Sequence, residues 1–468
     1  MPFKIDVCTR RDLLRGGALA AAGALLAACG QAAAPTQAPA AKPAEPTKPA
    51  AAGATQAPAP APTQAPAAAG AAPAAAGGGT ITYWRPVKGK GEENGTNQIT
   101  ADFSKANNGV AFKVEYIPNN EMPQKYQAAL ATNSAPDIFS LDTEWPAVYA
   151  ALGALADPPA ELQTTIKEKT FPIVQEVTTY KGKFVAVPLD SSNLVVGYNV
   201  KLLKDAGIDE KKPPADWNEW GEMAAKLTKR DGSGKLQQTG LENDFTDEWN
   251  WNTFLAAAGG RRWHSLEATD FLEPPFVAAA QIYPDWLFTK KINDVQGIED
   301  AFTHGKAGMT LAGPWTITGM QKDAPDLEWR SWMIPPQKAG GQSGTTLGGW
   351  HLGAYSKSKS LDTVWSFITF HMKPDNKVLW YKLTARVPAW KDVADDPIFQ
   401  SDPNRVTAVK QQATHLAVGQ PASPGYLEVQ AAVTETLERI VKNKEDVMKV
   451  LKEEKAKVDP VFAQKSKG

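Results

Sequence analysis

APDIFSLDTEWPAVYAALGALADP, residues 135–158, is the stretch on which the fold reading turns. Its first half, DIFSLD (137–142), is a short apolar strand that stops at Asp142-Thr143-Glu144. Upstream, TITYWRP (80–86) reads as a strand, and Asn97 to Asn107 as a helix carrying Ile99, Phe103 and the small Ala106. VAFKVEYIP (110–118) alternates Phe112, Val114 and Tyr116 as a second strand, and MPQKYQAALATNS (122–134) is a second helix. The order is β-α-β-α-β, which predicts a parallel sheet covered by helices, an α/β fold. In such sheets ligands gather outside the carboxyl ends of the strands. Trp84-Arg85 and Asp142 stand at two of those ends, with Glu144 and Trp145 close behind.

Downstream, YKGKFVAVPLDSSNLVVGYN (180–199) predicts two strands joined by a turn, followed by the short helix VKLLKDAG (200–207). Pro213 and Pro214 break the chain, Asp216 offers a cap, and a helix is expected to run to Gly232. The text then reads as mostly helical through Thr289. AGMTLAG (307–313) is an isolated strand, WRSWMIPP (329–336) and LGGWHLGAYS (347–356) are further strand candidates, and YLEVQAAVTETLERIV (426–441) is a helix.

The N-terminus predicts export. Lys4, Arg10, Arg11 and Arg15 precede the apolar run Gly16–Ala28. As a helix that run rises about 20 Å, short of the roughly 30 Å of a bilayer core, so residues 1–28 read as a signal peptide and not a span. Arg10-Arg11 resembles a twin-arginine signal, with Leu13 where an aromatic is common and Arg15 where lysine is common. Leu26-Ala27-Ala28-Cys29 resembles a bacterial lipobox, which makes Cys29 the expected lipidation site. Residues 30–78 are nearly all Ala, Pro, Gly, Gln and Thr, with TQAPA recurring from Thr36, Thr55 and Thr63. Such text buries no core and favours extended polyproline II, so 29–78 is expected to be a lipidated, disordered linker. Cys8 and Cys29 are the only cysteines, which leaves the body, residues 79–468, to be stabilised by core burial alone. The body is long enough for two lobes with ordinary cores.

The chain has 50 basic and 51 acidic residues and no basic-aromatic run, so nucleic acid is not an expected partner. All 15 tryptophans lie beyond the linker. Trp217, Trp220 and Trp365 sit in helix-like text and read as packing residues; others lie beside Gly, Pro or Asn, where an indole face suits stacking on a sugar ring.

Five stretches, in order, carry a resemblance: ITYWRP (81–86), the opening 135–158 segment with its Gly-x-Leu turn, VAVPLDSSNLVVGYNVKLLKDAGI (185–208), PPADWNEW (213–220) and GKAGMTLAGPWTI (305–317). Over residues 79–465 the chain resembles the extracellular solute-binding proteins of bacterial ABC importers, the carbohydrate-binding group that includes maltose-type proteins. The resemblance implies a bilobed fold with two α/β domains, a chain that crosses between lobes more than once, and a hinge that closes a cleft on ligand. It also implies an importer's permease subunits as partner. Many tryptophans and few obvious clustered charges favour a neutral, hydroxyl-rich ligand, a sugar; a monomer with no metal and no cofactor is expected. A protein held near its permease by a lipid yet free to sample the surroundings accounts for Cys29 and the linker together, facing the periplasm or cell exterior.

Each candidate site residue has two readings. Trp84 stacks on a sugar or packs between lobes; Arg85 donates to hydroxyls or forms a surface ion pair. Asp142 and Glu144 accept from hydroxyls or cap the next helix. Trp145 stacks or packs under its loop. Asp190 and Asn199 flank the hinge-like strands, with Asn199 holding a turn. Trp249 and Trp251 lie about 200° apart on a helix, so one faces ligand and the other the core. Trp315 follows Gly313-Pro314, Trp350 follows Gly348-Gly349, and Arg386 lies in the loop TARVPAW (384–390).

The rival readings are an exported polysaccharide hydrolase and a surface adhesin. A glycosidase needs two carboxylates flanking the scissile bond, and Asp142 and Glu144 are too local to be recognised as such a pair. His264, His304, His351, His371 and His415 show no i, i+4 pair. GQSG (341–344) lacks nucleophile-elbow spacing, and GSGK (232–235) lacks the earlier glycine of a phosphate loop. The chain is therefore read as a binding protein and not an enzyme. Within binding, a polyamine is the alternative ligand, because Asp142, Glu144 and tryptophans also suit a cation.

Overall fold

Strands Ile81–Val87, Phe112–Pro118 and Ile138–Asp142 form where alternation placed them, and they are parallel, with Ile81–Val87 in the middle. The structure, a computed structural model, describes residues 79–87, 90–414, 416–417 and 422–467. The expected signal peptide, linker and Cys29 lie outside the described residues, as does His415. The crossover helices are Lys90–Ala106 and Met122–Ala131. The first begins at Lys90, ahead of the expected Asn97. Glu92 and Glu93 occupy its first turn, where carboxylates suit the helix dipole, while the poor helix formers Gly91 and Gly95 obscure it in the sequence.

Strand Trp350–Tyr355 completes this sheet. It runs antiparallel to Ile138–Asp142, Leu155–Ala156 and Val187–Pro188, with Trp350 opposite Asp142. A second sheet has the order Trp329–Trp332, Val195–Asn199, Ala307–Ala312, Leu236–Glu242, Lys229–Arg230. Each sheet with its helices is one α/β lobe.

Two sequence readings need correction. The segment 180–199 is not a joined strand pair. After a small ladder at Thr179–Tyr180 and Lys183–Phe184, Val187–Pro188 enters the first sheet and Val195–Asn199 the second, so residues between them cross from lobe to lobe. Leu236–Glu242, inside text read as helical, is a strand parallel to Ala307–Ala312. Its packing face is filled by backbone: a Cβ at Gly240 would run into the main chain of Ala224, so helix Trp217–Leu227 lies directly on the strand. Without a bulky side chain there, the strand shows little apolar alternation.

Trp217 and Trp220 are buried on that helix, as expected, with Trp220 stacked on Phe254 at 5.6 Å and meeting Trp286 edge-on at 5.1 Å. Asp216 caps the helix through Glu219 N, and Asn199 caps Val200–Asp205 through Leu202 N.

Candidate ligand-binding cleft

The cleft is built over the crossings. Residues 189–194 pair by backbone with Gly348 and with Val387: Ser192 N donates to Gly348 O at 2.9 Å and Ser191 N to Val387 O at 3.0 Å, each reciprocated. Three chain passages therefore lie side by side between the lobes. The paired glycines permit this. Gly349 has φ +145°, and a Cβ there would sit 2.5 Å from Asp190 O. A Cβ on Gly348 would lie 2.6 Å from Ser192 Oγ and 2.8 Å from the Trp249 ring. Above this floor opens a cleft of about 700 Å³, floored by Ser192, Gly348, Gly349 and Arg386.

Three indoles line it. Trp350, only 2% exposed, comes from the first sheet beside Asp142. Trp249, on helix Glu248–Ala257, and Trp315, at the start of helix Pro314–Asp323, meet at 5.3 Å with their planes tilted by 51°. Trp315 is 40% exposed, a large apolar face left open on a cleft wall. The Arg386 guanidinium lies over its ring at 5.6 Å and is ion-paired to Glu92. A buried chain of charge thus runs from Arg85 through Glu92, which lies 3.3 Å from it, to Arg386 at the cleft.

The polar lining includes six carboxylates: Asp142, Glu144, Asp244, Asp247, Glu248 and Glu438. Arg262 reaches both Glu144 and, at 2.6 Å, Glu248. Burial still pushes the Glu144 carboxyl up to about 7; Arg262 opposes this, while Asp142 and Glu248 add to it. Asp247 is likewise raised by burial. Asp142 does not cap the following helix; its Oδ1 accepts from Thr143 N at 2.7 Å. Glu144 stands at the N-cap position of helix Trp145–Ala151 without making a side-chain cap.

The structure brings Asp142, Glu144, Trp249, Trp315, Trp350 and Arg386 together on this cleft. The other sequence candidates do not line it. Trp84 stacks on Tyr126 at 5.6 Å under Lys125. Arg85 is fully buried; instead of a surface ion pair it makes a bond to Ser140 Oγ and lies 5.9 Å from the Trp350 ring, from beneath. Trp145 meets Trp350 edge-on at 6.2 Å, also from below. Asp190 is buried in the hinge, accepting from Trp350 N and Trp380 Nε1, and burial pushes it up to about 6 against the pull of Arg386. Trp251 is core, its Nε1 donating to Ala279 O at 2.8 Å. The Trp249/Trp251 pair is split across the helix, as the 200° spacing requires.

Sequence reasoning missed two groups. Tyr426, Gln430, Thr434 and Glu438 recur every four residues on helix Tyr426–Val441 and present one polar stripe to the cleft. That spacing marks a helix in the sequence but not which face of it meets a cleft. The acidic turn Asp244–Asn250 follows the strand that was read as helix. Among the described residues no group of His, Cys, Asp and Glu has the arrangement to hold a metal ion.

Known proteins match this architecture. A putative binding protein of Brucella abortus (strain 2308) is 23% identical over 381 residues, covering 78% of this chain and 89% of its own. The maltotriose-binding protein of Pyrococcus abyssi is 21% identical over 401 residues, covering 81% and 82%. Among solved structures, the Thermus thermophilus maltotriose-binding protein bound with maltotriose has a TM-score of 0.70 at 19% identity, over 82% of this chain and 100% of that one. Residues 98–407, more than half of the sequence, match the family described as bacterial extracellular solute-binding protein. The chain belongs to that family of bacterial extracellular solute-binding proteins.

Proposed function

We propose that this protein is a membrane-tethered solute-binding lipoprotein of an ABC importer. It takes a sugar, an oligosaccharide by preference, into a cleft that closes between the lobes, and hands it to the permease. The observation that carries the sugar reading is the set of three indoles on one cleft, interleaved with hydroxyl, amide and carboxylate groups. Indole faces bury the apolar C–H faces of sugar rings, and the polar groups between them take the ring hydroxyls. The relatives named for maltotriose support the same class. In this reading Asp142, Glu144, Trp249, Trp315, Trp350 and Arg386 contact ligand, while Arg85, Trp145 and Asp190 hold Trp350 and the hinge from below. Cys29 carries the lipid, Arg10-Arg11 route export, and the Ala/Pro linker is the leash. We read the cleft as binding and not catalytic, a reading supported by the pairing of two of its carboxylates, Glu144 and Glu248, with one arginine.

A thermal-shift series on the full-length protein tests this, with mono- and oligosaccharides and with polyamines alongside. A true ligand at 100 times its dissociation constant adds about 2.7 kcal/mol and raises the midpoint. A rise with saccharides is expected. A rise with polyamines alone would overturn the sugar reading and keep the fold.

A further inference from the structure

The charge of the cleft says more about the ligand than its indoles do. Against six lining carboxylates stands one lining cation, Arg386, which is itself paired to Glu92. Arg262 serves Glu144 and Glu248 from outside the lining, and Lys442 reaches Glu438 at 2.7 Å. Asp244 and Asp247 have no cation of their own among the described residues. Asp244 accepts from Thr246 N and Oγ1, and Asp247 accepts from Asn250 N as the cap of helix Glu248–Ala257. These two acids line the same cleft as Trp249, whose π face attracts cations. A neutral sugar would leave Asp244 and Asp247 uncompensated on closure, when falling local polarity strengthens their mutual repulsion. An anionic sugar would add to it.

A separate feature of the cleft floor suits the hydroxyls of a sugar. Ser192 is 2% exposed and lines the floor, and among the described residues its Oγ bonds to no protein group.

We infer that the ligand is a saccharide carrying at least one protonated amine. Its ring lies against the indoles, its ammonium sits at Asp244 and Asp247 beside Trp249, and its hydroxyls reach Ser192. This rests on the sugar reading above and narrows it: uronic acids and phosphorylated sugars are excluded by charge. Ammonium and carboxylate supply charge-assisted bonds, while the ring keeps the aromatic contact that a linear polyamine would forgo.

The test is calorimetric titration of the full-length protein at pH 6 with three shape-matched probes, namely β-1,4-linked glucosamine oligomers, their N-acetylated forms and the corresponding glucose oligomers, plus spermidine. We expect the glucosamine oligomers to bind at least tenfold tighter than either neutral series, with the gap narrowing as salt is raised from 50 to 500 mM. Asp244→Asn with Asp247→Asn keeps the turn acceptor and the helix cap and should shrink that preference at least threefold; circular dichroism confirms folding. If neutral oligomers bind as tightly as aminated ones, the sugar reading stands and the charge inference falls. If only spermidine binds, both fall. Unchanged preference in the folded double variant would also overturn the assignment to Asp244 and Asp247.

Discussion

Glu144 shows how a single residue encodes a pH response. Its carboxyl is raised to about 7 in the folded protein, against an ordinary value of 4.5. The folded state therefore holds this proton more tightly than the unfolded chain does. The cost of ionising it is absent below about pH 4.5 and is fully present above about pH 7, so its contribution to stability is lost as pH rises through that window. Melting of the ligand-free protein and of Glu144→Gln, followed from pH 4.5 to 8, should give curves whose difference moves against the wild type as pH rises. A constant difference would mean that Glu144 titrates normally. The helix that carries Trp249 and Trp251 offers a second contrast, with Trp315 as the cleft reference. Trp315→Ala should weaken ligand binding about tenfold or more, roughly 1.4 kcal/mol, and shift the melting midpoint little, since the ring is 40% exposed. Trp251→Ala should cost about 3–5 kcal/mol of stability because it empties a buried indole site. Legibility at this scale followed chain position. Asp142 and Trp350 could be placed near a cleft because strand ends and glycine pairs are visible in text. Arg85 could not be placed below it, because a strand end gives a location and not the depth of a side chain.

Among elements, strand Leu236–Glu242 and helix Tyr426–Val441 were the hardest to read in full. The strand hides because its close neighbour is a helix backbone, reached through Gly240, and not another side chain. Gly240→Ala should therefore destabilise by about 1–3 kcal/mol through overpacking, measured by denaturant titration. A neutral result would show that helix Trp217–Leu227 can yield. The helix was legible as a helix, but its stripe at Tyr426, Gln430, Thr434 and Glu438 becomes a cleft wall only once the lobes are assembled. The parallel strands of the first lobe, by contrast, were fully legible, since alternation and helix periodicity are local properties.

For the molecule as a whole, the order of strands and helices pointed to an α/β fold, and the resemblance carried by five stretches implied the two lobes and the family. The crossings between lobes were less legible, because pairing of Ser192 with Gly348 and of Ser191 with Val387 joins segments far apart in sequence. The tether is tested at this scale. Cys29→Ser should move the protein from the membrane fraction to the soluble fraction after cell breakage, while binding is retained. Persistence in the membrane would remove the lipid-anchor proposal.

The insertion of Trp350–Tyr355 beside Ile138–Asp142 bears on how the chain is made. Thr143 donates its hydroxyl proton to Gly349 O across 206 residues of sequence. The first lobe can therefore not close its sheet when its own leading strands leave the ribosome. At about 5–20 residues per second, that interval lasts roughly 10–40 s. During it, the edge of Ile138–Asp142 stands open to a wrong partner. Assembly of the lobe that begins first thus waits on the synthesis of much of the other, and the two mature together.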